Sequence, residues 1–213
     1  WKNSITDITE IPASNGKLYV SAIFDCFDLS VLGLAMETNM KADLCVHTLE
    51  NALTAYPALE GAVIHSDRGT QYTSETYRQA IRENHIHQSM NSAGGRCHDN
   101  ARCESMWARM KTELLYDRYD TKQMTVEDLK VLIWRYFLSY WNNRRICSAN
   151  GGLPPMIKRR QYYEALEMAV IVSDILEENV STNIDNIRSG KGDVLFNNIR
   201  KSERTLIFRI SGR

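Results

Sequence analysis

Three acidic residues stand in local patterns that could bind divalent metal ions. Asp7 lies in Thr6-Asp7-Ile8-Thr9, Asp67 lies in His65-Ser66-Asp67-Arg68-Gly69, and Glu104 follows thirty-six intervening residues later. Carboxylate oxygens are ligands that hard divalent cations prefer, and a pair of such cations can stabilise the attacking and leaving oxygens of a phosphodiester. The three side chains therefore predict a metal site acting on a nucleic-acid backbone, provided that the fold brings them together.

Each carboxylate also has an ordinary structural explanation. Asp25 or Asp28 could compete with Asp7 as the first ligand, since all three follow or lie within apolar strand-like segments. Asp67 could simply form a turn, because aspartate side chains often accept hydrogen bonds from the backbone two residues on. Glu104 taken alone could be an exposed helix residue. Residue chemistry by itself leaves these alternatives open.

Hydrophobic patterning predicts the elements that would position these residues. Predicted strands cover residues 4–12, 17–27, 31–36, 62–64 and 86–88, and predicted helices cover 42–56, 75–83, the stretch from the cap Asp99 to about 116, and 126–143. Ser14-Asn15-Gly16 is typical of a hairpin turn, and Thr73-Ser74 can cap the second helix. A strand meander, alternating helices and strands, and then helices favour an α/β fold of the ribonuclease-H-like type, with a mixed sheet flanked by helices.

The last of these helices carries aromatic and aliphatic residues at helical spacing. We expect a core stripe, and we expect the aromatic residues to pack in the core rather than to stack on nucleic-acid bases. The stripe comprises Leu129, Ile133, Tyr136, Phe137 and Tyr140, and the aromatic set comprises Trp134, Phe137, Tyr140 and Trp141.

Several motifs together resemble those of the transposases of bacterial insertion sequences whose catalytic core is similar to retroviral integrase. The motifs are Trp1…Thr6-Asp7-Ile8-Thr9, His65-Ser66-Asp67-Arg68-Gly69, Gln88-Ser89-Met90, Asp99-Asn100…Glu104, Lys111 and Tyr140-Trp141-Asn142-Asn143-Arg144-Arg145. The resemblance covers about residues 1 to 165. Members usually place about thirty-five residues between the second aspartate and the glutamate, and we assign the extra residue here to the loop 91–96.

The resemblance implies a DNA transposase with an integrase-type catalytic core. Asp7, Asp67 and Glu104 are then the catalytic residues and the metal ligands for two Mg²⁺ or Mn²⁺ ions per active site. We expect Asp7 and Asp67 to share one cation and Asp7 with Glu104 to hold the other. The implied reaction is strand cleavage at the end of a mobile DNA segment, followed by strand transfer to a target. The implied partners are the DNA ends, the target DNA and further copies of the chain.

A second set of residues is predicted to contact DNA. The set comprises Lys111, Arg102, Arg109, Gln71, Asn100, Arg144 and Arg145. Lys111 lies seven residues after Glu104, two helical turns along the same face, and could place its ammonium group on a phosphate. Solvated or capping roles are the alternative for each of these side chains.

The net charge of zero conceals a segregation of charge along the chain. Residues 1–100 hold 7 Lys and Arg against 12 Asp and Glu, which gives −5, whereas residues 101–163 hold 12 against 6, which gives +6. Basic groups attract the DNA backbone, so we expect the second region to carry the DNA-facing charge.

Neither secretion nor a zinc centre is indicated. Five cysteines in irregular spacing fit reduced thiols, and Cys97-His98…Cys103 lacks the paired spacing of a zinc site. With no signal-peptide pattern and no long apolar stretch, we expect a cytoplasmic protein that does not contact membranes. His65 lies two residues before Asp67 on the same strand face and could lie beside the metals.

Two other functions remain open from the sequence. One is an RNase-H-like nuclease that only hydrolyses, and the other is a truncated, non-catalytic DNA-binding regulator of transposition. We expect two regions, a catalytic core with trailing helices at 1–165 and an atypical extension of unknown role at 166–213, whose pattern matches no motif of the family.

Overall fold

The computed structural model describes residues 3–90, 101–116 and 118–188. The predicted cap Asp99, the DNA-contact candidate Asn100 and the loop 91–96 lie outside these residues. The chain forms two compact units, residues 1–158 and 159–213. Within the described residues, no helix is both long enough and apolar enough to cross a bilayer.

A five-stranded mixed sheet forms the centre of the first unit. Its strands are β1 (Asn3–Ala13), β2 (Gly16–Asp25), β3 (Val31–Glu37), β4 (Val63–Ser66) and β5 (His87–Met90), in the spatial order β3-β2-β1-β4-β5. β1, β2 and β3 form an antiparallel meander, while β4 joins β1 in parallel and β5 joins β4 in parallel. The predicted hairpin at residues 14–16 is confirmed, and Gly16 adopts the positive φ of 141° that favours glycine.

Helices cover the sheet and continue beyond it. They are α1 (Ala42–Ala55), α2 (Thr70–Thr73), α3 (Glu75–Glu83), α4 (Ala101–Met110), α5 (Val126–Trp134) and α6 (Pro155–Arg188). The Ser74 hydroxyl accepts the backbone N–H of Tyr77 and caps α3, as predicted. Thr125 and Asp128 form a reciprocal capping box at the start of α5. These local patterns explain why the helices begin where they do.

Alternation along the strands divides the core into two layers. Ile5 and Ile11 of β1 face a layer that includes residues of α4 and α5, whereas Ile8 packs against the layer that α1 and α3 share. Residues two apart in a strand point to the same face. Asp7 lies between Ile5 and Ile11 in this alternation and therefore faces α4 and α5.

α1 packs very closely on β3 because Gly33 has no side chain. A Cβ atom built at Gly33 would lie 2.3 Å from the Thr48 carbonyl oxygen and 2.7 Å from the Ala52 Cβ. Such distances are too short for non-bonded atoms. Glycine at this position therefore permits the helix to approach the sheet.

The predicted core stripe on the last core helix needs a correction. Leu129, Ile133, Tyr136 and Phe137 are buried, but Tyr140 is 45% exposed. α5 continues as a π-helical segment over Arg135–Trp141, whose wider turns bond residue i to i+5. The widening moves Tyr140 off the core face and leaves Trp141, four residues after Phe137, buried.

The expectation that all four aromatic residues lie in the core is also wrong. Trp134 is 52% exposed, although Phe137 and Trp141 are buried as expected. Trp134 directly follows the buried Ile133, and one residue corresponds to a rotation of about 100° around a helix. It therefore points away from the stripe.

Candidate active site

The first carboxylate, Asp7, is held in the middle of β1. It is half-buried and pairs across the sheet with Ala22 of β2. The indole Nε1–H of Trp107 donates a hydrogen bond of 3.1 Å to Asp7 Oδ2. Trp107 lies on α4, so this bond connects the centre of the sheet directly to the helix that carries Glu104.

The second carboxylate, Asp67, follows the end of β4. The parallel pairing of β1 with β4 aligns Ile5 with His65. Asp7 lies two residues beyond Ile5, and Asp67 lies two residues beyond His65 and just past the end of β4, so the parallel register brings these two backbone positions near each other. Asp67 Oδ1 accepts the backbone N–H of Gly69 at 2.9 Å, so Asp67 also has the turn-forming role that the sequence left open.

The third carboxylate, Glu104, lies on the exposed side of α4. It directly follows Cys103, which is fully buried against the sheet layer that faces α4 and α5. Trp107, one turn later, reaches Asp7. Glu104 therefore belongs to the part of α4 that packs over the first aspartate.

The negative charges of all three carboxylates act on the buried thiol of Cys103. Burial raises the pKa of this thiol, and the negative charges of Asp7, Asp67 and Glu104 each raise it further. Such an effect requires proximity, because Coulomb interactions decay with distance and are screened by solvent.

The Cys45 thiol gives a second indication on the opposite side of the sheet. Burial raises its pKa to about 12, and Asp67 and Asp7 both add to the increase. The two aspartates thus act together on two different thiols. This supports the neighbourhood that the parallel register of β1 and β4 predicts.

The effect on Cys103 does not place the three carboxylates within metal-coordinating distance of one another. Among the residues that the structure describes, no group of three His, Cys, Asp or Glu side chains is arranged to hold a metal ion. The donor chemistry nevertheless suits Mg²⁺ or Mn²⁺, since all three side chains offer carboxylate oxygens. Their assignment as one ligand set therefore stays a prediction.

The competing aspartates, Asp25 and Asp28, have structural roles in the turn after β2. Asp25 Oδ1 accepts the backbone N–H of Phe27 at 2.9 Å, and Asp28 Oδ1 accepts that of Ser30 at 2.8 Å. Both side chains are buried, and Asp28 has no exposed surface. These contacts explain their positions without a metal.

Lys111 lies at the start of the π-helical segment Lys111–Leu115 that follows α4, and it lines a cavity together with Glu10 and Ile11 of β1. Its charge is one of the causes that lower the pKa of the Glu10 carboxyl, after the larger effect of Lys17. Glu10 lies three residues after Asp7 in β1. The lysine therefore sits beside the strand that carries the first carboxylate.

Arg102 and Arg109 lie on a different side of α4 from Glu104. Both line a cavity of about 400 Å³ whose other walls include Phe27 and Trp141. Relative to Glu104, these positions are rotated by more than a third of a helical turn. Their predicted contacts with DNA would thus involve a surface other than the one beside Glu104.

The other predicted DNA contacts have varied surroundings. Gln71 donates its side-chain amide to the Met40 carbonyl at 3.1 Å. Arg144 is exposed. Arg145 donates hydrogen bonds to the Glu113 carboxylate from Nε and Nη2, and its Nε lies 2.8 Å from Glu113 Oε2. The interaction of these residues with DNA stays a prediction.

His65 lies on the same strand face as Asp67 and contacts the neighbouring strand. Its Nδ1 is 3.0 Å from the Ser89 hydroxyl oxygen of β5. The two residues are paired in the parallel ladder between β4 and β5. The histidine therefore helps to connect the edge strand to the part of the sheet that ends at Asp67.

Comparison with known families supports the interpretation of the fold. Two models described as integrase core domain match residues 4–95 and 76–155. A probable transposase of insertion sequence IS1353 from Shigella flexneri is 38% identical over 153 residues, which is 71% of this chain and 29% of that protein. The putative transposase InsK of IS150 from Escherichia coli K12 is 32% identical over 160 residues, which is 75% of this chain and 54% of that protein.

A transposase-like protein of Haemophilus influenzae is 36% identical over 158 residues, covering 73% of this chain and 69% of that protein. The chain belongs to the insertion-sequence transposases with an integrase core domain. It spans between 29% and 69% of the length of these three relatives.

A solved structure shares the fold of this transposase chain. The integrase-containing intasome of simian T-cell lymphotropic virus, in complex with the B56 gamma regulatory subunit of PP2A, matches with a TM-score of 0.54 at 19% identity, covering 68% of this chain and 50% of that one. The HTLV-2 integrase catalytic core in complex with magnesium matches with a TM-score of 0.49 at 16% identity, a likeness too distant to bear on the site. The predicted ribonuclease-H-like fold is confirmed.

Sequence reasoning missed two contacts of the predicted site residues. Trp107 was not singled out, and the pairing of Arg145 with Glu113 was not foreseen. The only local signal for Trp107 is its position three residues after Glu104, which places it on a neighbouring part of the same helix face. Its contact with Asp7 spans 100 residues and cannot be found from local spacing.

Proposed function

We propose that this chain is the catalytic core of a DNA transposase that cleaves DNA and transfers strands in the presence of divalent metal ions. The single observation that supports the proposal most is the hydrogen bond of 3.1 Å by which Trp107, on the helix that carries Glu104, contacts Asp7 on β1. Membership of the transposase family supports the choice of DNA as substrate. The proposed substrates are the ends of the mobile DNA segment and a target duplex.

The three carboxylates would hold two Mg²⁺ or Mn²⁺ ions, with Asp7 contributing to both. Two bound cations would stabilise charge on the attacking and leaving oxygens during an in-line displacement at phosphorus. Without cations, three ionised side chains would repel the DNA phosphate that they must approach. Asp7 and Asp67 come from adjacent strands, and Glu104 comes from a helix packed on the same sheet face.

Other residues of the chain would position the DNA rather than take part in the displacement. Lys111 lies two turns from Glu104 and beside Glu10 of β1, which supports a contact between its ammonium group and a DNA phosphate. A freed 3′-hydroxyl would then attack a second strand. The reaction requires no covalent intermediate with the protein.

A strand-transfer assay with the purified 213-residue chain tests this function. The substrate is a labelled end with a pre-cut 3′-hydroxyl, incubated with target DNA in Mg²⁺ or Mn²⁺. We expect Glu104→Gln to reduce joining by about a hundredfold or more, because loss of groups that support a metal already costs 10- to 100-fold. DNA binding, measured by mobility shift, should change little.

Glu50→Gln provides the matched control, since Glu50 is an exposed glutamate on α1. It should join DNA like the parent chain. Full joining by Glu104→Gln would contradict the assignment of the third carboxylate. Hydrolysis without joining would favour the nuclease, and DNA binding without either reaction would favour the regulator.

A further inference from the structure

We infer that Trp107 is a positioning residue that orients the Asp7 carboxylate for metal binding. The inference rests on the proposed function, because it concerns the metal site assigned there. Its basis is the hydrogen bond of 3.1 Å from the indole Nε1–H to Asp7 Oδ2. The bond joins the strand that carries the first carboxylate to the helix that carries the third.

The indole itself has little freedom to move. Trp107 is 4% exposed and lies in the core layer between the sheet and the helices. Its ring makes edge-to-face contacts with Phe24 of β2 at 5.4 Å and with Phe137 at 5.7 Å between centroids. Contacts of this kind hold an aromatic ring in a defined orientation. The N–H group is thus presented to Asp7 by a fixed framework.

A fixed donor constrains the carboxylate that accepts from it. The terminal torsion of an aspartate side chain is broad when nothing restrains it. A hydrogen bond to Oδ2 selects one rotation of the carboxylate plane. Carboxylates that bind metals are commonly hydrogen-bonded by surrounding groups in this way, and loss of such partners typically costs 10- to 100-fold in metal affinity or activity.

The hydrogen bond also connects β1, which carries Asp7, to α4, which carries Glu104. Glu104 and Trp107 are three residues apart on α4, so a shift of the helix that moved Glu104 would also move the indole away from Asp7. Trp107 therefore sets the distance between the helix and β1 as well as the orientation of Asp7. A phenylalanine at this position would keep the ring packing but would remove the donor.

Mn²⁺ binding to the full chain without DNA tests the inference independently of catalysis. Electron paramagnetic resonance measures free Mn²⁺ during a titration and gives the apparent dissociation constant. We expect Trp107→Phe to raise this constant about tenfold or more. Thermal unfolding without metal should confirm that the variant is folded.

Two tryptophan controls separate positioning from general destabilisation. Trp141 is buried and donates its indole N–H to the Leu29 carbonyl at 2.8 Å, away from the carboxylates. Trp141→Phe should lower stability and leave Mn²⁺ affinity unchanged, and Trp134→Phe, at an exposed indole, should change neither. Unchanged Mn²⁺ affinity in Trp107→Phe, or an equal loss in Trp141→Phe, would overturn the inference.

A measurement on the unmodified chain covers the possibility that Trp107→Phe does not fold. In ¹⁵N-labelled protein, the indole N–H resonance of Trp107 should shift on addition of Mg²⁺, while those of Trp134 and Trp141 stay in place. The chain has four tryptophans, so Trp1→Phe and the two control variants identify the other three indole resonances. A Trp107 signal that does not respond while Mn²⁺ still binds would overturn the positioning role alone. Absence of Mn²⁺ binding to the parent chain would overturn both this inference and the proposed metal site.

Discussion

Glu113 and Arg145 form an ion pair that joins the segment after α4 to the residues that follow the π-helical continuation of α5. Arg145 Nε lies 2.8 Å from Glu113 Oε2, which also accepts the Tyr136 hydroxyl at 2.8 Å. The guanidinium lies over the Trp141 ring, 4.6 Å from its centroid. The pair lowers the pKa of Glu113 and raises that of Arg145, so both partners indicate a stabilised charged state.

This geometry predicts that Glu113→Gln destabilises the protein in a pH-dependent manner. Because the pKa of Glu113 is below its ordinary value of 4.5 in the folded state, its contribution is complete above that value and is lost as the pH falls through the lowered pKa. We expect a loss of about 1–2 kcal/mol at pH 7, reduced from the value for a buried pair because the glutamate is partly exposed.

Urea unfolding at pH 7 and at pH 3 measures this effect. The difference between the parent chain and Glu113→Gln should shrink at the lower pH. Glu50→Gln, at an exposed position on α1, should show little change at either pH. A difference that stays constant with pH would mean that the charge of Glu113 does not contribute.

At the scale of elements, side-chain hydrogen bonds fix the start of α5. Thr125 Oγ1 accepts the backbone N–H of Asp128 at 3.2 Å, and Asp128 Oδ2 accepts the backbone N–H of Thr125, also at 3.2 Å. Beyond this capping box, Val126 donates its backbone N–H to Asn15 Oδ1 in the hairpin. The start of α5 is therefore tied to the turn between β1 and β2.

Removal of the hydroxyl cap should weaken this connection. Thr125→Ala should lower the free energy of unfolding by about 1 kcal/mol, because one amide of the first turn loses its acceptor. Thr125→Ser keeps a hydroxyl and should retain most of the stability. Chemical denaturation of the two variants measures the difference, and equal stability of the two would show that the cap hydroxyl contributes nothing.

At the scale of the whole molecule, charge segregation bears on the proposed binding of DNA. The first hundred residues carry −5 and residues 101–163 carry +6, from the counts of 7 against 12 and 12 against 6. A phosphate approaching the three carboxylates therefore depends on nearby cations to offset repulsion. Lys111, which lies beside Glu10 of β1, is the proposed cation for such a contact.

Lys111→Ala should weaken DNA binding at low salt and reduce its salt dependence. A single phosphate contact contributes about 0.9 to the slope of log K against log salt concentration on duplex DNA. We therefore expect the slope to decrease by about 0.9, as measured by fluorescence anisotropy at several salt concentrations. Lys130→Ala, on α5, provides the control and should leave the slope unchanged. An unchanged slope in Lys111→Ala would argue against a phosphate contact.

Local sequence was sufficient for most elements of the fold. The hairpin at residues 14–16, the capped helix α3 and the strand that ends before Asp67 follow from turn residues, caps and short apolar runs, all of which act over a few residues. It was insufficient for the exposure of Trp134 and Tyr140. The exposure of Tyr140 depends on where α5 changes to π-helical turns, which helical periodicity does not reveal. Trp134 is exposed because it lies about 100° around the helix from the buried Ile133.

The sequence by itself determined the family, the order of strands and helices, and the motifs that contain Asp7, Asp67 and Glu104. Tertiary structure alone decided that Trp107 donates to Asp7 and that Arg145 is held by Glu113. The reason is physical. Propensities and caps are set by neighbours along the chain, whereas hydrogen bonds between distant side chains depend on how a helix packs on a sheet, which many residues determine together.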